Sequence, residues 1–311
     1  MSAEQKQDSP AVQRWYAARA ARPMPANVSA RNSTGAATRV AIQGEPGSFS
    51  HEAALKLLPG AEIVPCSLSA EVFEALSSGA VDAAVIPIEN SLAGSVLEHF
   101  DLLLQHDVTV QGETLLRIRH NLIALPGCSI GAIQRVFSHP VALAQCRKFL
   151  AAHPGMEAFA FYDTAGSVKQ LVELQDRQAA AIASRAAAAY YGAEILRKNI
   201  EDNPENYTRF FLVRRSQDAV EVSGANKMSL AFSLENRPGS LVSALLELSK
   251  LGTNLSKIES RPVHGKPWEY IFYVDCQMET PEHGQRGMEA LKKHCAMLKL
   301  LGCYAGTTDQ G

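Results

Sequence analysis

From about residue 39 onward, short apolar runs alternate with amphipathic segments. Residues 39–44 (RVAIQG), 61–66 (AEIVPC) and 81–88 (VDAAVIPI) are predicted strands, while residues 50–58 and 69–79 have the apolar spacing of helices. Ser69 is the predicted N-cap of the second helix. Strands that alternate with helices predict a parallel α/β architecture.

The same alternation begins a second time at residue 119 (RHNLIALPG). Strands and helices are predicted in turn at residues 135–140, 141–152, 158–163, 164–174, 179–184 and 185–192. The chain then returns to an apolar strand at residues 206–215 (NYTRFFLVRR). Two α/β lobes joined by a chain that comes back late predict a cleft between them, and ligands favour such places.

A break in composition follows at residues 216–226, and the pattern restarts beyond it. The order strand, helix, strand, strand, helix, strand is predicted at residues 228–235, 238–252, 254–262, 268–277, 283–295 and 297–304. This βαββαβ order is typical of a ferredoxin-like module. The sequence therefore predicts a tail (1–38), a two-lobed domain (39–215) and a smaller α/β domain (226–305).

Composition narrows the class of protein. Among 311 residues, 46% are hydrophobic and 20% are charged, which excludes a wholly disordered chain, and the net charge of -2 gives no basic excess for nucleic acid. No apolar run approaches the roughly 20 residues of a membrane span. The first 38 residues are rich in Ala, Arg, Ser and Pro, which predicts a disordered extension. Their arginines would also suit a transit peptide, although Glu4 and Asp8 count against it.

The six cysteines are dispersed along the chain and match no zinc spacing, as expected for reduced thiols in the cytoplasm. No phosphate-binding G-x-x-x-x-G-K-[ST], no G-x-G-x-x-G and no G-x-S-x-G motif occurs. We therefore expect no metal and no nucleotide or nicotinamide cofactor, and no interaction with nucleic acid or a membrane.

Two polar segments follow predicted strands in the first lobe. In residues 43–54 (QGEPGSFSHEAA), Ser48 lies where a helix begins, and the backbone N–H groups there can hold an anion. In residues 86–96 (IPIENSLAGSV), Glu89, Asn90 and Ser91 emerge at the end of a buried strand, where open sheets bind ligands. A serine-capped turn and a capping loop explain the same residues without a ligand.

Three further segments carry polar residues that could reach the cleft. His139 precedes Pro140 at a predicted helix start and could donate to a carboxylate, with Gln145 a candidate amide contact on that helix. Asp163 or Thr164 is expected to cap the next helix. Thr208 and Phe210 share one face of the returning strand, so the side chain of the intervening Arg209 points to the other face.

In this order, the segments QGEPGSFS, PIENSLAGSV, SHPVALAQC, DTAGSV and NYTRF resemble the prephenate dehydratase family, including its arogenate dehydratase relatives. The C-terminal part resembles the ACT regulatory domain of those enzymes, with GSLV (239–242) and ESRP (259–262) similar to its two motifs. The resemblance covers residues 39–304. It implies a two-lobed, periplasmic-binding-protein-like catalytic domain followed by the ferredoxin-like ACT domain.

The resemblance also implies roles for residues. It assigns catalysis to Thr208, Glu89, Asn90 and His139, and substrate binding to Ser48, Ser91, Gln145, Thr164, Ala165, Arg209 and Phe210. It implies an L-phenylalanine site made by Asn236, Pro238, Gly239, Ser240, Leu241, Val242, Glu259, Ser260, Arg261 and Pro262. Val141, where glutamine is common, and Lys169, where some members are acidic, depart from the family.

The implied reaction is loss of carbon dioxide and water from prephenate to give phenylpyruvate, with feedback inhibition by L-phenylalanine and no cofactor. Arogenate dehydratase is the nearest alternative, and a non-catalytic binding protein and an amino-acid sensor are more distant ones. Because the implied effector site lies between two ACT modules, we expect a homodimer or homotetramer. A chorismate mutase on a separate chain is compatible with the short tail, in which no mutase helix bundle is evident.

Overall fold

The computed structural model describes residues 37–263 and 268–307. The predicted tail therefore lies outside the described residues up to position 36. Among the described residues no helix is long and apolar enough to cross a membrane.

The first lobe is a sheet with the strand order β2-β1-β3-β11-β5, and β4 pairs with β3. Strand β1 is parallel to both neighbours, whereas β11 is antiparallel to β3 and β5. The strands are β1 (Arg39–Gln43), β2 (Glu62–Cys66), β3 (Ala83–Asn90), β4 (Gly94–Ser95), β5 (Val108–Arg117) and β11 (Tyr207–Arg215), and the helices are α1 (Phe49–Leu57), α2 (Ser69–Ser78) and α3 (Leu97–Gln105). The predicted alternation of strands and helices is thus confirmed. The sheet is mixed and not wholly parallel as predicted, because β11 brings the end of this domain back into its first sheet antiparallel to its neighbours.

The second lobe is a separate sheet with the order β10-β6-β9-β7-β8. Its strands are β6 (Asn121–Ala124), β7 (Arg135–Ser138), β8 (Glu157–Ala160), β9 (Ala179–Ala183) and β10 (Glu194–Arg197), and its helices are α4 (Pro140–Ala144), α5 (Arg147–Ala151), α6 (Thr164–Leu174) and α7 (Arg185–Tyr191). Two connections, after β5 and before β11, join the lobes. Two lobes with a late return of the chain were predicted, and the structure confirms them.

Two local predictions were wrong. Helix α2 begins at Ser69 itself, with Leu68 as N-cap, because the Ser69 hydroxyl faces inward to Gln43 and Glu98. The single helix predicted at 141–152 is broken after α4. The Asp202 carboxylate accepts hydrogen bonds from the backbone N–H groups of residues 147 and 148 and so caps α5 as a new helix.

The C-terminal domain has the predicted βαββαβ order and a four-stranded antiparallel sheet, β13-β14-β12-β15. Its elements are β12 (Lys227–Leu234), α8 (Ser240–Lys250), β13 (Leu255–Pro262), β14 (Tyr270–Gln277), α9 (Pro281–Lys292) and β15 (Cys295–Tyr304). Helix α8 begins two residues later than predicted because Gly239, with φ 83°, turns the chain into it.

The C-terminal sheet packs directly on the first lobe. One buried apolar cluster contains residues of both, including Phe100 and Phe211 from the first lobe and Tyr273, Leu301 and Tyr304 from the C-terminal domain. The C-terminal domain therefore shares a core with the lobe that carries β3 and β11.

Candidate active site

A cavity of about 710 Å³ lies between the two lobes, within the size range of small-molecule sites. The first lobe contributes the turn before α1, the end of β3 and the start of β11. The second lobe contributes the starts of α4 and α6. Of the residues implied by the resemblance, Ser48, Asn90, His139, Gln145, Thr164, Thr208 and Phe210 line this cavity. Segments that are far apart in the sequence therefore converge on one site.

The centre of this site is the pair Thr208 and Asn90, which lie opposite each other on β11 and β3. Thr208 is only 8% exposed, and its Oγ1 accepts a hydrogen bond of 2.9 Å from the Asn90 amide nitrogen. The Asn90 Oδ1 atom accepts the backbone N–H groups of Leu92 and Ala93 at 3.0 and 2.8 Å, so the orientation of this amide is set by groups that can only donate. The Thr208 hydroxyl proton is therefore left for another acceptor.

Glu89 and Arg209 form the next pair along the same two strands, and they face the opposite way. Arg209 is buried, with Nε 2.5 Å from Glu113, Nη1 2.5 Å from Asp275 and Nη2 2.9 Å from the Tyr304 hydroxyl. Burial opposes its charge, but the adjacent Asp275 carboxylate more than compensates and raises the pKa of Arg209.

Four residues that the resemblance places in the site do not line the cavity, and strand alternation and burial explain why. Glu89 binds Lys257 of the C-terminal domain, with 2.8 Å between Oε1 and Nζ, and Arg209 lies beside it. Ser91 donates to the backbone carbonyl of Glu205 and accepts from the N–H of Tyr207. It thus ties down the entry to β11. Ala165 is fully buried in the core of the second lobe.

The turn before α1 does not present the free N–H groups that an anion site was expected to use. The backbone N–H of Gly47 donates to His51 Nδ1 at 2.8 Å, and that of Ser48 donates to the carbonyl of Glu45. Ser48 is the N-cap, as predicted, since its Oγ accepts the N–H of His51. These donors are engaged within the turn itself, so they are not available to a ligand.

Contacts between the lobes close one end of the cavity. The Lys169 Nζ lies 3.2 Å from both carboxylate oxygens of Glu45, whose Oε1 also accepts from the Tyr162 hydroxyl at 2.9 Å. A third contact runs from the Ser184 hydroxyl to the carbonyl of Gly47 at 2.7 Å. Among the described residues that line the cavity, Lys169 is the one lysine or arginine.

Asp163 caps α6 as predicted, accepting the N–H of Gly166 at 2.7 Å. Its carboxyl also lines the cavity, and burial raises its pKa although the backbone N–H groups that it accepts work the other way. No group of three or more His, Cys, Asp or Glu side chains within 37–263 and 268–307 is arranged to hold a metal ion.

Two residues of the site were missed from the sequence. Asn206, fully buried, donates to Gln145 Oε1 at 2.9 Å and accepts from Asn90 at 2.8 Å. His120 lines the cavity, with its Nε2 also 2.9 Å from Gln145 Oε1. Both are polar residues at the edge of apolar runs, but their partners are distant in sequence.

Comparison with known proteins identifies one family by sequence. The family model for prephenate dehydratase matches residues 40–218. The chain is 41% identical over 282 residues to arogenate dehydratase/prephenate dehydratase 2 of Arabidopsis thaliana, a chloroplastic protein, covering 88% of this chain and 74% of the relative.

Two solved structures are similar over most of the chain. Prephenate dehydratase from Arthrobacter aurescens in complex with L-Phe has a TM-score of 0.78 at 32% identity, covering 86% of this chain and 90% of that one. GqqA, described as a quorum-quenching acylase, has a TM-score of 0.80 at 31% identity, covering 88% and 100%.

Proposed function

The chain belongs to the prephenate dehydratase family and is a dehydrating lyase, and we propose that its cleft binds prephenate and that Thr208 assists the departure of the ring hydroxyl. The observation that carries this assignment is the hydrogen bond from the Asn90 amide to Thr208 Oγ1. The Thr208 oxygen thus accepts from Asn90, and its hydroxyl hydrogen can donate to a substrate in the cavity that Thr208 lines.

The reaction breaks two bonds and makes the ring aromatic. The C–C bond to the ring carboxylate breaks, carbon dioxide leaves, and the electron pair of that bond enters the ring. The C–O bond para to it breaks at the same time, and its electron pair leaves with the hydroxide, which takes up a proton to become water. A hydrogen bond from Thr208 to the departing oxygen strengthens as negative charge develops there. Aromatisation supplies the driving force.

Other cavity residues suit the remaining parts of the substrate. Gln145 accepts two hydrogen bonds at Oε1, so its amide nitrogen is turned away from them and can donate to a carboxylate. His139 Nδ1 accepts a hydrogen bond from the N–H of Val141, so the imidazole proton lies on Nε2. The Nε2–H group is therefore a second donor for the substrate. Lys169 adds positive charge. Phe210 forms an apolar wall, which disfavours the solvated carboxylate and thus favours decarboxylation.

Glu89 and Arg209 have no place in this mechanism, because they face the C-terminal domain. We assign them to the interface between the domains. Of His139 and Glu89, the two implied catalytic residues that could supply a proton, only His139 lines the cavity, and we assign the proton to it.

Turnover of purified protein with prephenate and with arogenate, each in parallel, tests the function. Thr208→Ala is expected to lower kcat about 10²–10⁴-fold, the range of general-acid contributions, while Thr208→Ser keeps the hydroxyl and most of the activity. Near-normal kcat in folded Thr208→Ala removes Thr208 from the mechanism. A higher kcat/KM with arogenate would keep the mechanism and change the substrate. An acyl-amide substrate is assayed alongside, since GqqA is described as an acylase.

We also propose feedback inhibition by L-phenylalanine at the C-terminal domain, supported by the L-Phe complex of the similar Arthrobacter aurescens structure. The turn at Asn236, Pro238 and Gly239 is exposed, and so are Ser260 and Pro262 on β13. β13 is an edge strand with Ile258 48% exposed, which suits pairing with a second copy of the chain. A homodimer or homotetramer is therefore expected.

The contacts of β13 provide a route from this site to the cleft. Glu259 accepts a hydrogen bond of 2.7 Å from the hydroxyl of Ser95, a residue that lines the cavity. Lys257 binds both Ser95 and Glu89, and Arg261 binds Asp101 of α3. Glu259 and Arg261 thus contact the catalytic domain, and we assign them to transmission of the signal instead of to effector binding.

Lys257→Met tests this route. We expect kcat without effector to stay within a few-fold and inhibition by L-phenylalanine to weaken, since allostery requires contacts that differ between two states. Unchanged inhibition would exclude this contact from the route. Sedimentation of the wild type with and without L-phenylalanine measures the oligomeric state.

The cellular compartment was predicted to be cytoplasmic. All six cysteines are unpaired thiols in the structure, and burial raises the pKa of Cys276 to about 12, as for inert core thiols. These thiols support a proposal of a reducing compartment.

A further inference from the structure

Five side chains form one continuous polar chain, and four of them line the cavity while the buried Asn206 lies behind it. In order they are His120, Gln145, Asn206, Asn90 and Thr208, with successive donor–acceptor distances of 2.9, 2.9, 2.8 and 2.9 Å. The first two residues belong to the second lobe and the last two to the first lobe. This polar chain therefore links the two lobes beside the cavity.

The donor and acceptor of every hydrogen bond in the polar chain can be assigned by starting from the Asn90 end. Backbone N–H groups of Leu92 and Ala93 donate to Asn90 Oδ1, so Asn90 Nδ2 is the atom that faces Asn206. That nitrogen donates to Asn206 Oδ1, so Asn206 Nδ2 faces Gln145. The atom of Gln145 that receives it is then an oxygen. Amide orientations inside proteins are assigned from such networks, and here the backbone anchors the assignment.

His120 must therefore donate, because an oxygen on Gln145 accepts from it. The imidazole proton lies on Nε2, and Nδ1 is an unprotonated, buried nitrogen with no hydrogen-bond partner among the described residues. A second proton would place an unpartnered N–H in a dry site. Burial accordingly lowers the pKa of His120 below its ordinary value, and the ring is neutral near pH 7.

The ring of His120 is held in place independently of Gln145. The residue is 2% exposed, its backbone N–H donates to the Glu201 carboxylate at 2.9 Å, and its carbonyl accepts the N–H of Ile200. Phe49 meets the ring edge-on, with 5.8 Å between centroids. The backbone of His120 is thus fixed by hydrogen bonds, and its buried ring packs against Phe49 at the start of the polar chain.

We propose that His120 is a positioning residue for the dehydration, acting through Gln145, Asn206 and Asn90 on the Thr208 hydroxyl. Its Nε2–H holds Gln145 Oε1 inward, which turns the Gln145 amide nitrogen toward the substrate and keeps Asn206 in the orientation that Asn90 requires. The proposal rests on the proposed function. Without the donor, the Gln145 amide loses the partner that fixes its orientation, and Asn206 loses its fixed acceptor. The backbone N–H groups of Leu92 and Ala93 still orient Asn90, so the effect reaches the Thr208 hydroxyl through the weakened contact between Asn206 and Asn90.

Three substitutions separate positioning from a merely structural role. In His120→Gln the amide nitrogen reaches the place of Nε2 and still donates, whereas in His120→Asn it overlaps Nδ1, and His120→Leu has no donor. We expect kcat to stay within a few-fold in the Gln variant and to fall about 10–100-fold in the Asn and Leu variants, as for misplacement of a reacting group. A purely structural role would make Gln and Asn alike.

Assay of the wild type in parallel distinguishes failure of the proposed function from failure of the positioning role of His120. If the wild type converts neither prephenate nor arogenate, the proposed function fails. If the wild type is active and all three variants match it, the positioning role fails and the function stands. Thermal melting of each variant, compared with the wild type, shows whether a loss of kcat accompanies loss of the fold.

The tautomer gives a test that does not depend on activity. Two-bond ¹⁵N–¹H spectra of protein labelled at histidine are expected to show the Nε2–H form for His120 near pH 7.5, with the signal assigned by its absence in His120→Gln. His153 is the matched control, because its Nδ1 lies 2.8 Å from the carbonyl of Phe149 and must carry the proton. An Nδ1–H form at His120 would overturn the proposal.

Discussion

Substitution of Arg209 by methionine distinguishes a substrate ligand from an interface residue. Methionine keeps much of the apolar stem but removes the guanidinium that joins β11 to the C-terminal domain. Arg209 contacts Glu113 and Asp275, whose side chains are only 2% and 4% exposed. The change therefore leaves acidic groups inside the protein without their principal cation.

The expected loss of stability can be worked out from the partners that Glu113 and Asp275 keep. Glu113 keeps Lys227, with 3.1 Å between Nζ and Oε1. Asp275 keeps only hydrogen-bond donors, such as the Ser229 hydroxyl at 2.5 Å. Removing one partner of a buried ion pair destabilises a protein by about 3–5 kcal/mol, and here the unpaired buried charge would be that of Asp275. We expect Arg209→Met to lower the free energy of unfolding by about that amount.

The assay is urea unfolding followed by circular dichroism, with Lys250→Met as the matched control. Lys250 pairs with Glu247 at the surface and is 66% exposed, so its loss is expected to change the unfolding free energy by no more than about 1 kcal/mol. Asp275→Asn, alone and combined with Arg209→Met, completes a double-mutant cycle. Coupled groups should lose less together than the sum of the single losses.

Measurement of KM for the same variants tests the opposite assignment, that Arg209 binds the substrate. If Arg209 bound the substrate carboxylate, Arg209→Met would raise KM strongly with little change in unfolding, and Asp275→Asn would leave KM unaltered. That combination of results would refute the interface assignment. Our expectation is the reverse: a KM within a few-fold of wild type, and weakened stability in both single variants.

Three other outcomes follow from the same contacts. Gly302→Ala should weaken packing of the C-terminal domain on the first lobe, since its Cβ would lie 2.2 Å from the carbonyl oxygen of Val110, and limited proteolysis would detect the looser interface. Lys169→Met should raise KM more than it lowers kcat, because it removes the bond to Glu45 across the cleft together with a cation; steady-state kinetics measure the split. Burial lowers the pKa of His120 in the folded state, so as pH falls below about 6.5 the unfolded chain binds a proton first. Stability should therefore fall between pH 6.5 and the lowered pKa. His120→Gln should reduce the slope of that part of the urea-midpoint profile, and the rest of the slope should remain because burial also lowers the pKa of His99.

Local pattern was sufficient for most elements. The apolar runs and their spacing predicted most strands of both lobes and the βαββαβ order, because burial of a strand or one helix face requires that pattern in the chain itself. Helix α3 and strands β4, β5 and β10 were not predicted. The break after α4 could not be read either, since the cap that starts α5 comes from Asp202, more than 50 residues away.

The family and the motifs that line the cleft were likewise determined by the sequence alone. Thr208 and Phe210 were expected on one face of a strand, with Arg209 on the other, and the cavity is lined by the first two. Alternation of side chains is a property of any strand, so it needs no knowledge of neighbours.

Only the tertiary structure decided what covers each face. It placed the second lobe against Thr208 and Asn90, and the C-terminal domain against Arg209 and Glu89. It also placed His120 within reach of Gln145. The physical reason is that these hydrogen bonds and ion pairs join residues far apart in the chain, and a buried polar group is satisfied by whichever partner the packing of whole domains brings to it. A sequence pattern records that a side chain is polar and on which face it lies, whereas its partner, and hence its role, depends on how the domains pack.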